Sequence, residues 1–142
     1  MIAYSMGVPY AIKYAAMNPS KIKGLIVCDY PAKYPLIQET WIEAVGELVE
    51  DDRKHVVREI QKDSKEIVLW EELKEISCPV LVIKDGTERA LLNKYEAEKY
   101  KSNLKNVELL EFSESGHELW SPDYNKFIRT IANYLKKIDL QD

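Results

Sequence analysis

The chain has 142 residues, of which 46% are hydrophobic and 31% charged, with a formal net charge of −4. That length suits one ordinary domain with a sizeable core, and the composition is that of a globular chain rather than a disordered one. It carries no basic stripe with interleaved aromatics, no apolar stretch near the ~20 residues of a membrane span and no charged-then-apolar leader, which argues against nucleic-acid and membrane partners.

In chain order, Met1-Ile2 reads as the tail of a strand. An Ala-rich helix follows from about Val8 to Met17, with Ala11, Ala15 and Ala16 able to let it approach a sheet closely. Asn18-Pro19 stops it, because the residue before proline disfavours the α region. The continuous apolar run Gly24-Leu25-Ile26-Val27-Cys28 predicts a strand covered on both faces, ended by Asp29-Tyr30-Pro31.

From Ile37 to Leu73 the character changes. Val45, Leu48, Val49, Val56, Val57 and Ile60 fall at helical spacing in a charged background, predicting two or three amphipathic helices inserted between strands. Pro79 to Ile83 is a second buried strand, broken by Asp85-Gly86. A helix from about Lys94 to Tyr100 and a strand at Val107 to Phe112 come next, the latter alternating as a strand near a sheet edge does. Ser121-Pro122-Asp123 is expected to start the last helix, with Ser121 as cap and proline at the first position. Phe127, Ile128, Ile131, Tyr134 and Leu135 would form its apolar face. Alternating elements of this kind point to an α/β protein with a parallel sheet.

Two residues stand out chemically. Ala3-Tyr4-Ser5-Met6-Gly7 lies between strand and helix, and a serine on such a sharp turn is lifted clear of the sheet as an exposed nucleophile. Small residues two before and two after it suit a crowded turn, and the helix N-terminus that follows places amides near developing negative charge. The competing reading of Ser5 is a simple helix cap. His117, in Glu114-Ser115-Gly116-His117-Glu118, follows a strand and precedes the last helix, at the sheet edge where parallel folds collect active groups. Its competing reading is a surface-loop histidine.

The serine elbow, the strand ending in Asp29, the charged helical insert and the Gly116-His117 loop occur in an order that resembles the α/β-hydrolase fold from its nucleophile elbow onward. The resemblance covers nearly the whole chain, 1–142, with the insert at about 35–75 in the position of a cap. It departs from the family pattern at Ala3, where glycine is usual. The resemblance implies parallel strands with flanking helices, a Ser5–His117–acid triad, and hydrolysis of small, uncharged ester-like or related substrates. The scaffold also serves lyases, thioesterases and carbon–carbon hydrolases. It implies the Met6 amide as an oxyanion donor, and neither metal nor organic cofactor.

The acid has several candidates. The family often places it after the strand matching Pro79 to Ile83, but Arg89 stands where an aspartate is expected. Asp29, after the preceding strand, is therefore preferred, with Glu88 and then Asp85 as alternatives. Asp29 also suits a turn residue that satisfies backbone beside Pro31.

His55 reads as a solvent-facing helix residue. Trp41, Trp70, Trp120, Tyr30 and Tyr34 read as packing residues or pocket lining. Cys28 and Cys78 have no metal-ligand spacing and read as reduced thiols of a cytoplasmic protein. The strands expected ahead of the elbow, with the second oxyanion amide, are not in this sequence. An N-terminal half or a pairing chain is thus expected to complete the sheet. The alternative is a truncated or non-catalytic remnant that serves as a binding module.

Overall fold

Strand and helix alternate through most of the computed structural model, which describes residues 1–140. In chain order the elements are β1 (Ile2–Tyr4), α1 (Gly7–Met17), β2 (Leu25–Cys28), β3 (Lys33–Tyr34), α2 (Thr40–Gly46), α3 (Lys54–Asp63), β4 (Ile67–Val68), β5 (Val80–Asp85), α4 (Lys94–Asn103), β6 (Val107–Phe112) and α5 (Tyr124–Asp139). The chain divides into two compact units, one made of Met1–Ala32 with Leu69–Asp142, the other of Lys33–Val68.

The first unit is built on a four-stranded, wholly parallel sheet in the order β1-β2-β5-β6. Every residue of β2 and β5 is buried, which is why both read as unbroken apolar runs up to the polar pair Lys84-Asp85. β6 lies at one edge and is mostly half-buried, matching its alternation. Parallel pairing sets the C-terminal ends of all four strands along one edge of the sheet, and each is followed there by a loop. Sequence-distant residues are brought together by that edge alone.

α1 buries Val8, Ala11, Ile12 and Ala15 and turns Tyr10, Tyr14 and Met17 outward. α5 closes the core formed by Ile26, Cys28, Leu81, Ile83, Phe112, Leu119, Tyr134 and Ile138. Its inward face is carried by Phe127, Ile131, Tyr134 and Ile138, whereas Ile128 and Leu135 point to solvent. The expected face is thus rotated. The helix start also differs: Asp123, not Ser121, is the cap, its carboxylate accepting the Lys126 N–H at 2.8 Å. Serine and aspartate cap equally well, so the position of the first helical turn decides between them. Among the described residues, no helix is long and apolar enough to cross a membrane.

The second unit holds α2, α3 and a two-stranded antiparallel ribbon in which Lys33 pairs with Val68 and Tyr34 with Ile67. Ser64 ties its ends together, with its Oγ accepting the Ile37 N–H at 3.0 Å. The unit ends at Val68, so Leu69 to Leu73 belong with the sheet rather than with the helical insert. Of the apolar residues expected to form its stripe, Val57 is buried while Leu48, Val56 and Ile60 are exposed. Leu48 lies beyond the end of α2, where helical spacing no longer applies.

Candidate active site

Ser5 occupies the one-step turn between β1 and α1 with φ of 53°, in the left-handed region that a non-glycine residue adopts only when its surroundings hold it there. Two backbone bonds do so: the Ser5 N–H donates to the Cys28 carbonyl at 3.1 Å, and the Ser5 carbonyl accepts the Val8 N–H at 2.9 Å. The first bond extends the β1–β2 pairing by one residue, and the second opens the helix. Ala3 is buried beneath the turn, as a small residue there requires. Gly7 is different, because a Cβ at that position meets nothing within 4 Å among the described residues. The crowding expected at Gly7 is therefore absent from this chain.

His117 and Asp29 reach Ser5 from the two other ends of the chain order. The His117 Nε2 lies 3.0 Å from the Ser5 Oγ, and its Nδ1 lies 2.8 Å from the Asp29 Oδ2. A carboxylate oxygen accepts, so the neutral tautomer that suits both bonds has its proton on Nδ1 and leaves Nε2 to accept from the serine hydroxyl. Asp29 is wholly buried and likewise left-handed, with φ of 43°. Its own N–H donates to the Ile83 carbonyl at 2.8 Å.

The loop after β5 wraps this carboxylate. Asp29 Oδ1 accepts the N–H groups of Asp85 and Leu92 at 3.2 and 3.3 Å, and Oδ2 accepts that of Leu91 at 3.3 Å. Burial of a carboxylate is tolerated when donors surround it, and here three amides and an imidazole do. Sequence reasoning had no signal for these amides, since backbone donors are invisible in residue identity.

The alternative acids are placed elsewhere. Asp85 is also wholly buried, but its carboxylate accepts the Thr87 N–H at 2.6 Å and the Thr87 hydroxyl at 3.1 Å, the role of a turn residue. Buried Lys84 fixes the same corner by donating to the Asp85 carbonyl at 2.6 Å and to the Glu111 carboxylate at 3.2 Å. Glu88 is exposed, and among the described residues neither it nor Asp85 hydrogen-bonds to His117, whose ring nitrogens face Asp29 and Ser5.

The remaining neighbours shape the imidazole's surroundings. Tyr4 stacks on the His117 ring with centroids 4.7 Å apart and planes inclined by 28°, and Trp120 leans on Tyr4 at 5.2 Å. Burial, followed by the Glu118 and Asp29 carboxylates, pushes the Tyr4 phenol above its usual range. Burial also pushes the Cys28 thiol up to about 12, with Asp29 adding to it, so the sulfur beneath the site stays protonated. Trp70 sits away from these residues, edge-on to Tyr100, and Tyr30 is buried. Trp41 and Tyr34 belong to the second unit, as does exposed His55.

The Met6 amide lies at the entrance to α1, among the helix N-terminal donors that have no partner inside the helix. A serine hydroxyl bonded to an imidazole, a carboxylate bonded to the far side of that imidazole and an adjoining amide at a helix entrance are an arrangement that acyl transfer can use.

No protein-family model matches the chain, and no curated protein sequence does. Solved structures match over almost all of it. The chain is similar to the proline iminopeptidase of Mycobacterium smegmatis, with a TM-score of 0.70 at 14% identity over 99% of this chain and 65% of that one. It is similar to MGS-M2, an α/β-hydrolase enzyme from a Medee basin deep-sea metagenome, with a TM-score of 0.72 at 18% identity over 95% and 64%. MenH from S. aureus matches with a TM-score of 0.66 at 19% identity over 97% and 68%. The chain has the α/β-hydrolase fold, and it spans about 65% of the length of the first of these relatives.

Proposed function

We propose that this α/β-hydrolase scaffold carries a serine hydrolase site for small ester-like substrates, with Ser5 as nucleophile, His117 as general base and Asp29 as the orienting acid. The observation that carries this reading is the unbroken pair of hydrogen bonds from Ser5 Oγ through the His117 ring to Asp29, at 3.0 and 2.8 Å. In the reaction the Ser5 oxygen attacks the substrate carbonyl and His117 Nε2 takes the hydroxyl proton. The Met6 amide donates to the oxyanion. The imidazolium then gives its proton to the leaving oxygen, and the acyl-serine is released by a water that His117 deprotonates in turn. Asp29 keeps the imidazole in the required tautomer throughout and stabilises its charged form.

A non-catalytic binding module is the rival reading, and the strained φ of Ser5 argues against it, since a binding surface has no need of a left-handed serine. An irreversible reagent separates the two readings without demanding fast turnover. An aryl fluorophosphonate should add one phosphonyl group per chain, mapped to Ser5, and Ser5→Ala or His117→Ala should abolish the adduct. A wild-type chain that stays unlabelled at Ser5 after prolonged exposure rules the enzyme reading out.

A further inference from the structure

A cleft of about 630 Å³ opens beside the triad, lined by Asp85, Thr87, Glu88, Arg89, Gly116 and His117. It lies wholly within the sheet unit, between the loops that follow β5 and β6. Most of its polar groups are already engaged. The Asp85 carboxylate is buried and bound to Thr87, and Thr87 Oγ1 accepts the Arg89 N–H at 3.3 Å, so the Thr87–Arg89 turn has a fixed shape. Two charged side chains in the lining are left over. Neither the Arg89 guanidinium nor the Glu88 carboxylate makes an ion pair among the described residues, although they are neighbours in the chain.

We propose that this cleft is a subsite for a carboxylate group of the substrate, held by Arg89. A guanidinium presents a planar fork of donors that matches a carboxylate two bonds at a time, and among the described residues no ion pair occupies that of Arg89. His117 forms part of the wall, so a ligand held in the cleft by Arg89 shares that cleft with the ring read here as the base. The assignment rests on reading His117 as the general base, since that reading makes the cleft part of a substrate path. The same position also accounts for the departure seen in the sequence: with the acid supplied by Asp29, the loop position that would hold an aspartate is free to carry a cation. Glu88 opposes the anion from the same lining, which makes it a selectivity element whose removal strengthens carboxylate binding.

The subsite can be read by binding alone. Titration of the protein with benzoate, followed by amide resonances, should move Thr87, Arg89, Gly116 and His117, and benzamide, its uncharged analogue, should leave them in place. Arg89→Gln should weaken benzoate binding about tenfold, as loss of a charge-assisted pair at a partly exposed site does. Arg89→Lys should keep the charge and lose part of the affinity, and Glu88→Gln should tighten binding a few-fold. Arg89 is exposed, so these variants are expected to retain a native spectrum. Benzoate that leaves the cleft resonances unmoved, or that binds wild type and Arg89→Gln equally, overturns the proposal. Ser5→Ala should bind benzoate as wild type does. Failed fluorophosphonate labelling with intact benzoate binding removes the hydrolase reading and with it the substrate subsite, leaving Arg89 as an anion site only, whereas failed benzoate binding with intact labelling removes the subsite alone.

Discussion

Tyr4 immediately precedes Ser5 in the chain, yet its ring lies against His117, which is 113 residues further on, at a centroid distance of 4.7 Å. The residue that precedes the candidate nucleophile thus also gives the His117 ring one wall. Stacked aromatic contacts contribute ~0.5–1.5 kcal/mol beyond their buried area. Tyr4→Leu should loosen the ring of His117 and slow Ser5 labelling by about three- to tenfold. Tyr4→Phe should leave both unchanged. Equal labelling rates in all three proteins would show that Asp29 alone orients the imidazole.

Asp29 bonds both to His117 and to three backbone amides, so its substitution should be felt twice. An asparagine in its place would set an NH₂ among the Asp85, Leu91 and Leu92 amides, leaving at least one buried donor unmatched at a cost of ~1–3 kcal/mol. The thermal midpoint of Asp29→Asn should fall by several degrees. Its rate of phosphonylation at Ser5 should fall by about 10³–10⁴, the loss expected when the imidazole takes the wrong tautomer. Glu88→Gln should change neither quantity. A crippled Glu88→Gln with a normal Asp29→Asn would reassign the acid.

Two glycines near the site offer a paired test of packing. A Cβ on Gly86 would lie 2.4 Å from the Ser113 Cα and 2.7 Å from the Phe112 carbonyl oxygen, both backbone atoms that cannot swing away. Gly86→Ala should therefore push β5 and the turn after β6 apart and lose ~1–3 kcal/mol in urea unfolding. Gly116→Ala meets nothing within 4 Å and should stay within about 0.5 kcal/mol of wild type. A larger loss at Gly116 than at Gly86 would contradict the described loop packing.

The buried thiol sets an alkaline limit. Cys28 is held up to about 12 by burial, whereas in the unfolded chain it ionises near its ordinary value of 9.0. Between those values the unfolded state binds fewer protons than the folded state, so stability falls as pH rises. The Cys28 contribution is intact below pH 9 and is lost progressively as pH climbs toward 12. The phenols of Tyr100 and Tyr134, also raised by burial, act in the same direction. Urea midpoints measured at about pH 8, 9.5 and 10.5 should decline in that order. Ellman's reagent at about pH 8 should find neither Cys28 nor Cys78 in the folded protein and both in denaturant, because both thiols are buried.

The parallel sheet was legible because β2, β5 and β6 each leave a strong local trace, two continuous apolar runs and one alternating strand. Ser5, Asp29 and His117 were legible because each follows a strand, and a parallel sheet collects such positions on one edge. The β3–β4 ribbon left no trace, since two-residue strands are too short to show a period. Tyr4 against His117 was equally hidden, as stacking depends on a tertiary register that neither residue encodes alone. The cap at Asp123 and the outward Ile128 and Leu135 show a further limit. Helical periodicity gives a face, while the first turn fixes which residues that face contains.

The Leu69 N–H donates to the Ala32 carbonyl at 2.8 Å, although 36 residues lie between them. That is the hydrogen bond that closes a β-turn around two central residues. The segment from Lys33 to Val68 therefore hangs from the sheet unit as a loop hangs from a two-residue turn, and the sheet's connectivity is indifferent to its length. A shortened gene joining Ala32 to Leu69 through Asn-Gly meets the geometric requirement of that bond, and so does a transplant of an unrelated helical segment with paired ends. The locus is a natural splice point, at which the sheet with its Ser5–His117–Asp29 cluster and the inserted helices can be exchanged, and can diverge, independently.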